Sequence, residues 1–147
     1  MTRTVSLDLD AVLIQNPFRH GVLPHLRRHL RRAPSLAKLG EEKADRRIRD
    51  AVAAEVGRRM ASGRLATAYD WDAIYASVAA SFGAPPVPDV AELVRHYCTV
   101  PGTIWLLPGA LEALDGLAAA DYRLVATTNG FARYQRPVLE ALSLIHI

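Results

Sequence analysis

Cysteine is almost absent from this chain: Cys98 stands alone among 147 residues. An internal disulfide is therefore excluded, and the composition suits a reducing, cytoplasmic setting. No run of eighteen apolar residues occurs, so a membrane-spanning helix is excluded and a membrane is not an expected partner. The N-terminal Met1-Thr2-Arg3-Thr4 does not open the apolar stretch of a secretory signal. Lysine is scarce as well. Only Lys38 and Lys43 accompany sixteen arginines, and the aromatics, at 7%, do not interleave with them as a nucleic-acid stacking surface would require. No repeat or low-complexity tract is visible. What is present is a length of about one domain, half of it hydrophobic and 22% charged, enough to build a core.

Charge is unevenly spread. Residues 18–95 carry 14 of the 18 basic and 9 of the 15 acidic residues, a balance of +5, against −2 for the rest. Arginine favours bidentate contacts with phosphate and carboxylate. GC-rich codon usage accounts for many Arg and Ala residues equally well.

Residues 3–9 alternate, with Val5, Leu7 and Leu9 on one side and Ser6, Asp8 and Asp10 on the other. This predicts a strand ending near Asp10. Asn16-Pro17 breaks it. From Phe18 to Cys98 the period is helical: Leu23, Leu26 and Leu30; Ile48, Val52, Val56 and Met60; Ile74, Val78 and Phe82; then Val90, Leu93, Val94 and Tyr97 behind a capping Asp89. A helix over 110–119, with Leu111, Leu114 and Leu117 inward, precedes an apolar strand over 122–127 of the kind buried on both faces of a parallel sheet. A last helix is expected from Pro137 to Leu142. The architecture implied is α/β: an incomplete Rossmann-like parallel-sheet core over 1–15 and 100–141, interrupted by an all-helical insert over 16–99. Residues 142–147, Leu-Ser-Leu-Ile-His-Ile, correspond to a translated transposase-adapter sequence and are expected to be foreign.

Two motifs carry chemistry. Asp8-Leu9-Asp10-Ala11-Val12 closes the first strand, and open α/β sheets bind ligands at the carboxyl ends of their strands. Two carboxylates two apart point the same way and repel, unless one is protonated or a cation such as Mg²⁺ lies between them. One could attack phosphorus while the other moves a proton; two solvated aspartates on an exposed face would have the same sequence. Thr127-Thr128-Asn129-Gly130 closes the second strand. A hydroxyl and free backbone N–H groups there suit an anion nest, an Asn-Gly hairpin turn or a solvent-facing loop.

Taken together and in this order, the motifs resemble the haloacid dehalogenase (HAD) superfamily. Its first motif is D-x-D-x-T/V, matched by Asp8, Asp10 and Val12; its second commonly ends in T-N-G, matched by Thr128, Asn129 and Gly130. Leu107-Pro108-Gly109 resembles the entry to the preceding helix, Phe131 to Leu142 with Tyr134-Gln135 resembles the family's continuation after the second motif, and a helical insert between the motifs resembles a C1 cap. The resemblance implies Asp8 as nucleophile and Mg²⁺ ligand. Asp10 would be the general acid and base, holding the metal through its backbone carbonyl. Thr128 and Asn129 would hold the phosphoryl oxygens. The implied reaction is Mg²⁺-dependent hydrolysis of small phosphate monoesters through an aspartyl-phosphate, with a small phosphorylated metabolite as partner. Ala11 stands where glycine is common and fits a backbone of negative φ. The family's third-motif basic residue and fourth-motif acidic pair have no counterpart in the 17 residues after Gly130, since Arg133 and Arg136 come too early. The chain is therefore read as the N-terminal portion of such an enzyme, inactive by itself.

Other features are weaker. His25 and His29 are four apart but lack a third zinc ligand. Arg27, Arg28, Arg31 and Arg32 form a basic cluster. A D-x-D metal-dependent glycosyl or nucleotidyl transferase and a non-enzymatic Arg-rich helical binding module are the rival readings. The uninterrupted nucleotide-binding fold needed by the first is not visible, and nucleic acid is not an expected partner.

Overall fold

In a computed structural model, which describes residues 3–144, the alternating segment forms β1 (Arg3–Asp8). Its partner is β4 (Tyr122–Thr127). The two pair in parallel, from Arg3 opposite Tyr122 to Asp8 opposite Thr127. Between them lie β2 (Ile14–Gln15), α1 (Leu23–Leu30), α2 (Pro34–Ala37), α3 (Glu41–Ala61), α4 (Trp71–Phe82), α5 (Val90–Cys98), β3 (Trp105–Leu106) and α6 (Ala110–Ala119); α7 (Ala132–Ala141) follows. The residues divide into two compact units, Met1–His20 with Val94–Ile147, and Gly21–Leu93. The helical unit thus begins and ends a few residues inside the 16–99 range. A π-helical turn over Phe18–Val22 crosses the first boundary and α5 crosses the second.

In the first unit, β2 and β3 form a two-residue antiparallel pair, Ile14 opposite Leu106 and Gln15 opposite Trp105. The sequence does not announce it, because two residues carry no periodicity. Leu9, Leu13, Ile14, Leu114, Tyr134 and Val138 form the buried centre. The β1–β4 ladder is less covered than the apolar run over 122–127 suggests: Val5, Leu7, Leu124, Val125 and Ala126 are half-buried. A cleft of about 960 Å³ runs along β4, lined by Leu111, Leu114, Leu124, Ala126 and Leu144 among others. It leaves Leu111, expected inward, 52% exposed. Among the described residues each strand has a single ladder partner. The last helix also begins earlier than expected, at Ala132, with Pro137 inside it. Proline there withholds one backbone bond, to the carbonyl of the exposed Arg133, which water can satisfy. Of the segment expected to be foreign, Leu142 to Ser143 follow the helix and Leu144 is buried; residues 145–147 lie outside the described residues.

In the helical unit, Leu26 and Leu30 of α1, Ile48 of α3, and Ile74, Tyr75 and Val78 of α4 are buried together with Val90. Burial pushes the Tyr75 hydroxyl up to about 12. The four-residue stripe on α3 does not hold: Ile48 is buried, Val52 and Val56 are half-buried, and Met60 is 40% exposed. A spacing of four overshoots the helical turn by about 40° per step, so the stripe winds out of the interface. α4 is capped by Asp70, whose carboxylate accepts from Ala73 N at 3.2 Å, and it ends at Gly83 with φ of 65°. Asp89 caps α5 by accepting from Glu92 N at 2.9 Å. No helix of the described residues is long and apolar enough to cross a membrane.

A charge cluster joins α3 to the turn that follows it. Glu55 accepts from Arg58 at 2.7 and 2.9 Å and from Arg59 Nε at 2.7 Å, while the buried Arg59 also donates to the Thr67 carbonyl at 2.9 Å. The hydrogen bond from Arg58, aided by that from Arg59 and opposed by burial, lowers Glu55 to about 2 from 4.5. A carboxylate lowered on folding contributes stability that is present above its unfolded pKa and lost as pH falls toward its folded one. Thermal stability is therefore expected to drop between about pH 5 and pH 2. Glu55→Gln should cost about 1.5–3 kcal/mol at neutral pH and flatten that drop. Denaturation followed by circular dichroism across the range checks both; an unchanged acid limb in the variant would remove Glu55 as its source.

Candidate functional site

The site is built by the parallel ladder. Because both strands run the same way, their carboxyl ends coincide, and Asp8 lies opposite Thr127 in the register. The two motifs, separated by most of the chain, thus meet at the sheet edge where α/β folds bind ligands. Asp8 is exposed, and one of its oxygens accepts from Leu9 N at 2.8 Å. Thr127 turns its hydroxyl back onto the strands, toward Ser6 Oγ at 3.1 Å and the Leu7 carbonyl at 3.4 Å. Thr128 Oγ1 accepts from Gly130 N at 3.0 Å, closing a short turn on which Thr128 and Asn129 are exposed. The chain continues into α7, not into a returning strand, which removes the hairpin alternative.

Beyond Asp8 the chain dives and doubles back. Leu9 is buried, and its carbonyl accepts from both Leu13 N and Ile14 N at 3.0 Å. Ala11 takes φ of 60° to make this turn. The negative φ expected for alanine is not found, because the loop must reverse within a few residues of the strand. Asp10 is half-buried in this loop. Its Oδ1 accepts from Asn16 Nδ2 at 2.6 Å and its Oδ2 from Gln135 Nε2 at 2.8 Å. Asn16 is itself oriented, its Oδ1 accepting from Phe18 N at 3.0 Å. The two aspartates therefore share a strand end but occupy different surroundings, one open and one held by two amides.

Asn16 and Gln135 were not identified as site residues from sequence. Asn16 reads as a strand breaker before proline, and Gln135 lies 125 positions from the aspartate it bonds. Of the two arginines of α7, Arg136 pairs with Glu140 at 2.9 Å, and Arg133 donates to the Tyr134 hydroxyl at 2.9 Å and lies over the Phe131 and Tyr134 rings. His25 and His29 belong to the helical unit, where His29 Nε2 lies 3.3 Å from the Pro85 carbonyl. Arg31 of the basic cluster pairs with Glu41 and with Asp45. Burial raises the half-buried Cys98 thiol to about 11, which suppresses the reactive thiolate.

For Mg²⁺ the donor set falls short. Asp8 offers one carboxylate oxygen clear of other bonds among the described residues, and Asp10 only its backbone carbonyl, since both of its carboxylate oxygens already accept from amides. Among the described residues no group of three or more His, Cys, Asp or Glu comes together as a metal cluster. An octahedral Mg²⁺ at this edge needs further oxygen ligands.

No protein-family model and no curated protein matches the chain. Among solved structures, it is similar to a HAD phosphatase from Thermococcus onnurineus, with a TM-score of 0.65 and 21% identity over 99% of this chain. The chain spans 59% of the length of that protein. At this identity the likeness concerns the fold, which is mixed α/β and HAD-like.

The strained alanine supplies a direct test of the loop. A left-handed backbone costs an L-residue about 1–2 kcal/mol that glycine avoids, offset partly by glycine's freedom in the unfolded chain. Ala11→Gly is expected to leave stability unchanged or raise it by up to about 1 kcal/mol in urea denaturation. A loss of more than that amount would show that the Ala11 backbone is not left-handed.

Proposed function

We propose that this chain carries the nucleophile, the acid–base group and the phosphate-binding turn of a phosphatase acting on small organic phosphate monoesters. The observation that supports it is the β1–β4 register, which brings the D-x-D end of one strand beside the Thr128-Asn129-Gly130 turn of the other. The fold likeness to a HAD phosphatase agrees with this reading.

In the proposed reaction, Asp8 attacks phosphorus through its open carboxylate oxygen. The phosphorus–oxygen bond to the alcohol breaks, and Asp10 delivers its proton to the departing alkoxide. Asp10 then takes a proton from water as that water attacks phosphorus in the aspartyl-phosphate. Inorganic phosphate leaves and the Asp8 carboxylate is restored. Thr128 and the amide of Asn129 orient the phosphoryl oxygens. Phosphoryl transfer depends on charge compensation as much as on positioning. Two aspartates by themselves do not supply it, so turnover requires a basic residue and metal ligands in addition to those described. The activity is accordingly proposed for a longer polypeptide that contains this chain.

The test compares residues 1–147 with the same chain extended by the coding sequence downstream of residue 141, using Mg²⁺ and phosphate monoesters. Turnover is expected from the extended protein and not from residues 1–147. In the extended protein, Asp8→Asn is expected to abolish turnover of both para-nitrophenyl phosphate and an alkyl phosphate. Asp10→Asn is expected to lower kcat/KM for the alkyl phosphate by about 10²–10⁴-fold. Wild-type turnover by Asp8→Asn would overturn the nucleophile assignment.

A further inference from the structure

Asp10 is bonded in a way the reaction above does not explain. Both of its carboxylate oxygens accept from side-chain amides, Asn16 on Oδ1 at 2.6 Å and Gln135 on Oδ2 at 2.8 Å. The Asn16 amide cannot turn over without losing its bond from Phe18 N, so its donor end is committed to Asp10. Gln135 is held differently. It is 7% exposed, and its Oε1 is buried with no hydrogen-bond partner among the described residues. A buried orphan acceptor costs about 1–3 kcal/mol. A hydrophobic residue at this position of α7 would avoid that cost, so a residue serving only to fill space has no reason to be glutamine. Among the described residues, the Gln135 side chain makes its polar bond to Asp10.

The neighbouring turn leaves room for the amide. A Cβ added at Gly130 would lie 2.7 Å from Gln135 Nε2 and 3.0 Å from its Cγ. Glycine at the end of the phosphate-binding turn is what lets the Gln135 amide reach the aspartate. The two amides are neutral, and the arginines of the same helix are engaged with Glu140 and with the Tyr134 hydroxyl. Asp10 is thus oriented from both sides by neutral donors.

We propose that Gln135 is a positioning residue of this site. With Asn16 it clamps the Asp10 carboxylate in the orientation needed to protonate the leaving alcohol, and Gly130 supplies the clearance for it. The proposal rests on the phosphatase reading for its catalytic consequence, and on the Asp10 hydrogen bonds for the clamp itself. A group that positions a proton donor matters most for a poor leaving group and little for one that departs unprotonated. kcat/KM, which reports steps through loss of the alcohol, separates the two cases.

The experiment has two arms. In the extended enzyme, Gln135→Met keeps a long apolar side chain but removes the N–H donor. It is expected to lower kcat/KM for an alkyl phosphate about 10–100-fold while KM and kcat/KM for para-nitrophenyl phosphate stay within about 3-fold, as loss of part of a general-acid contribution predicts. Equal losses on both substrates, or none on either, would overturn the positioning role. In the second arm, residues 1–147 are labelled with ¹⁵N and the Gln135 side-chain amide is followed by NMR. Asp10→Ala is expected to shift that signal and speed its exchange with solvent. An unmoved signal overturns the clamp, whatever the activity. If the signal moves and the wild-type extended enzyme hydrolyses neither ester, the clamp stands and it is the phosphatase reading that fails.

Discussion

The parallel pairing of β1 with β4 is the constraint on which the rest of the first unit depends. It joins segments that nearly the whole chain separates, so its formation costs far more loop-closure entropy than any helix of the molecule. A six-residue ladder whose residues are half-buried or exposed must offset that cost. Its neighbours supply the difference: Leu9, Leu13 and Ile14 plunge beneath the sheet end, α6 and α7 bring Leu114, Tyr134 and Val138, and the β2–β3 pair ties the loop after β1 to the segment before α6. The register follows from the same packing. A shift of one residue would turn Leu7 and Leu124 to the opposite face and carry Asp8 away from Thr127.

Two aspartates two positions apart are easily taken as equivalent, and here they are not. Asp8 ends a regular strand, faces outward and has one oxygen clear, as an attacking group requires. Asp10 lies beyond the buried Leu9, in a loop that turns on a left-handed alanine, and both its oxygens are held. The division of labour comes from the backbone: a strand end exposes one carboxylate and the reversal folds the other back against α7. Strain at Ala11 is part of what places it there.

The helical unit is organised by other means. Its apolar centre is conventional, but a charge cluster, Glu55 with Arg58 and Arg59, fastens the end of α3 to the carbonyl of Thr67. Arg31, one of the residues that make the middle of the chain look basic, is paired with Glu41 and Asp45. Part of the positive charge counted along the sequence is thus consumed within the unit. The contrast between a basic middle and acidic ends is a poor guide to what its surface offers a ligand.

Local order was legible in the sequence because it follows from local chemistry. Alternation marked β1, helical spacing marked α4, helical spacing with the Asp89 cap marked α5, and a short, mostly apolar stretch over 122–127 marked β4. The chemical character of the two strand ends, paired carboxylates and a hydroxyl-bearing turn, could be read for the same reason. Tertiary structure decided what depends on distant partners. It set the β2–β3 pair, too short to carry a period, and the exposure of Leu111, which depends on what covers β4. It set the early start of α7 through a proline whose lost bond faces water. It also supplied the Asn16–Asp10–Gln135 clamp. A hydrogen bond across 125 residues leaves no pattern in sequence, because its geometry exists only once the ladder has brought the two segments together.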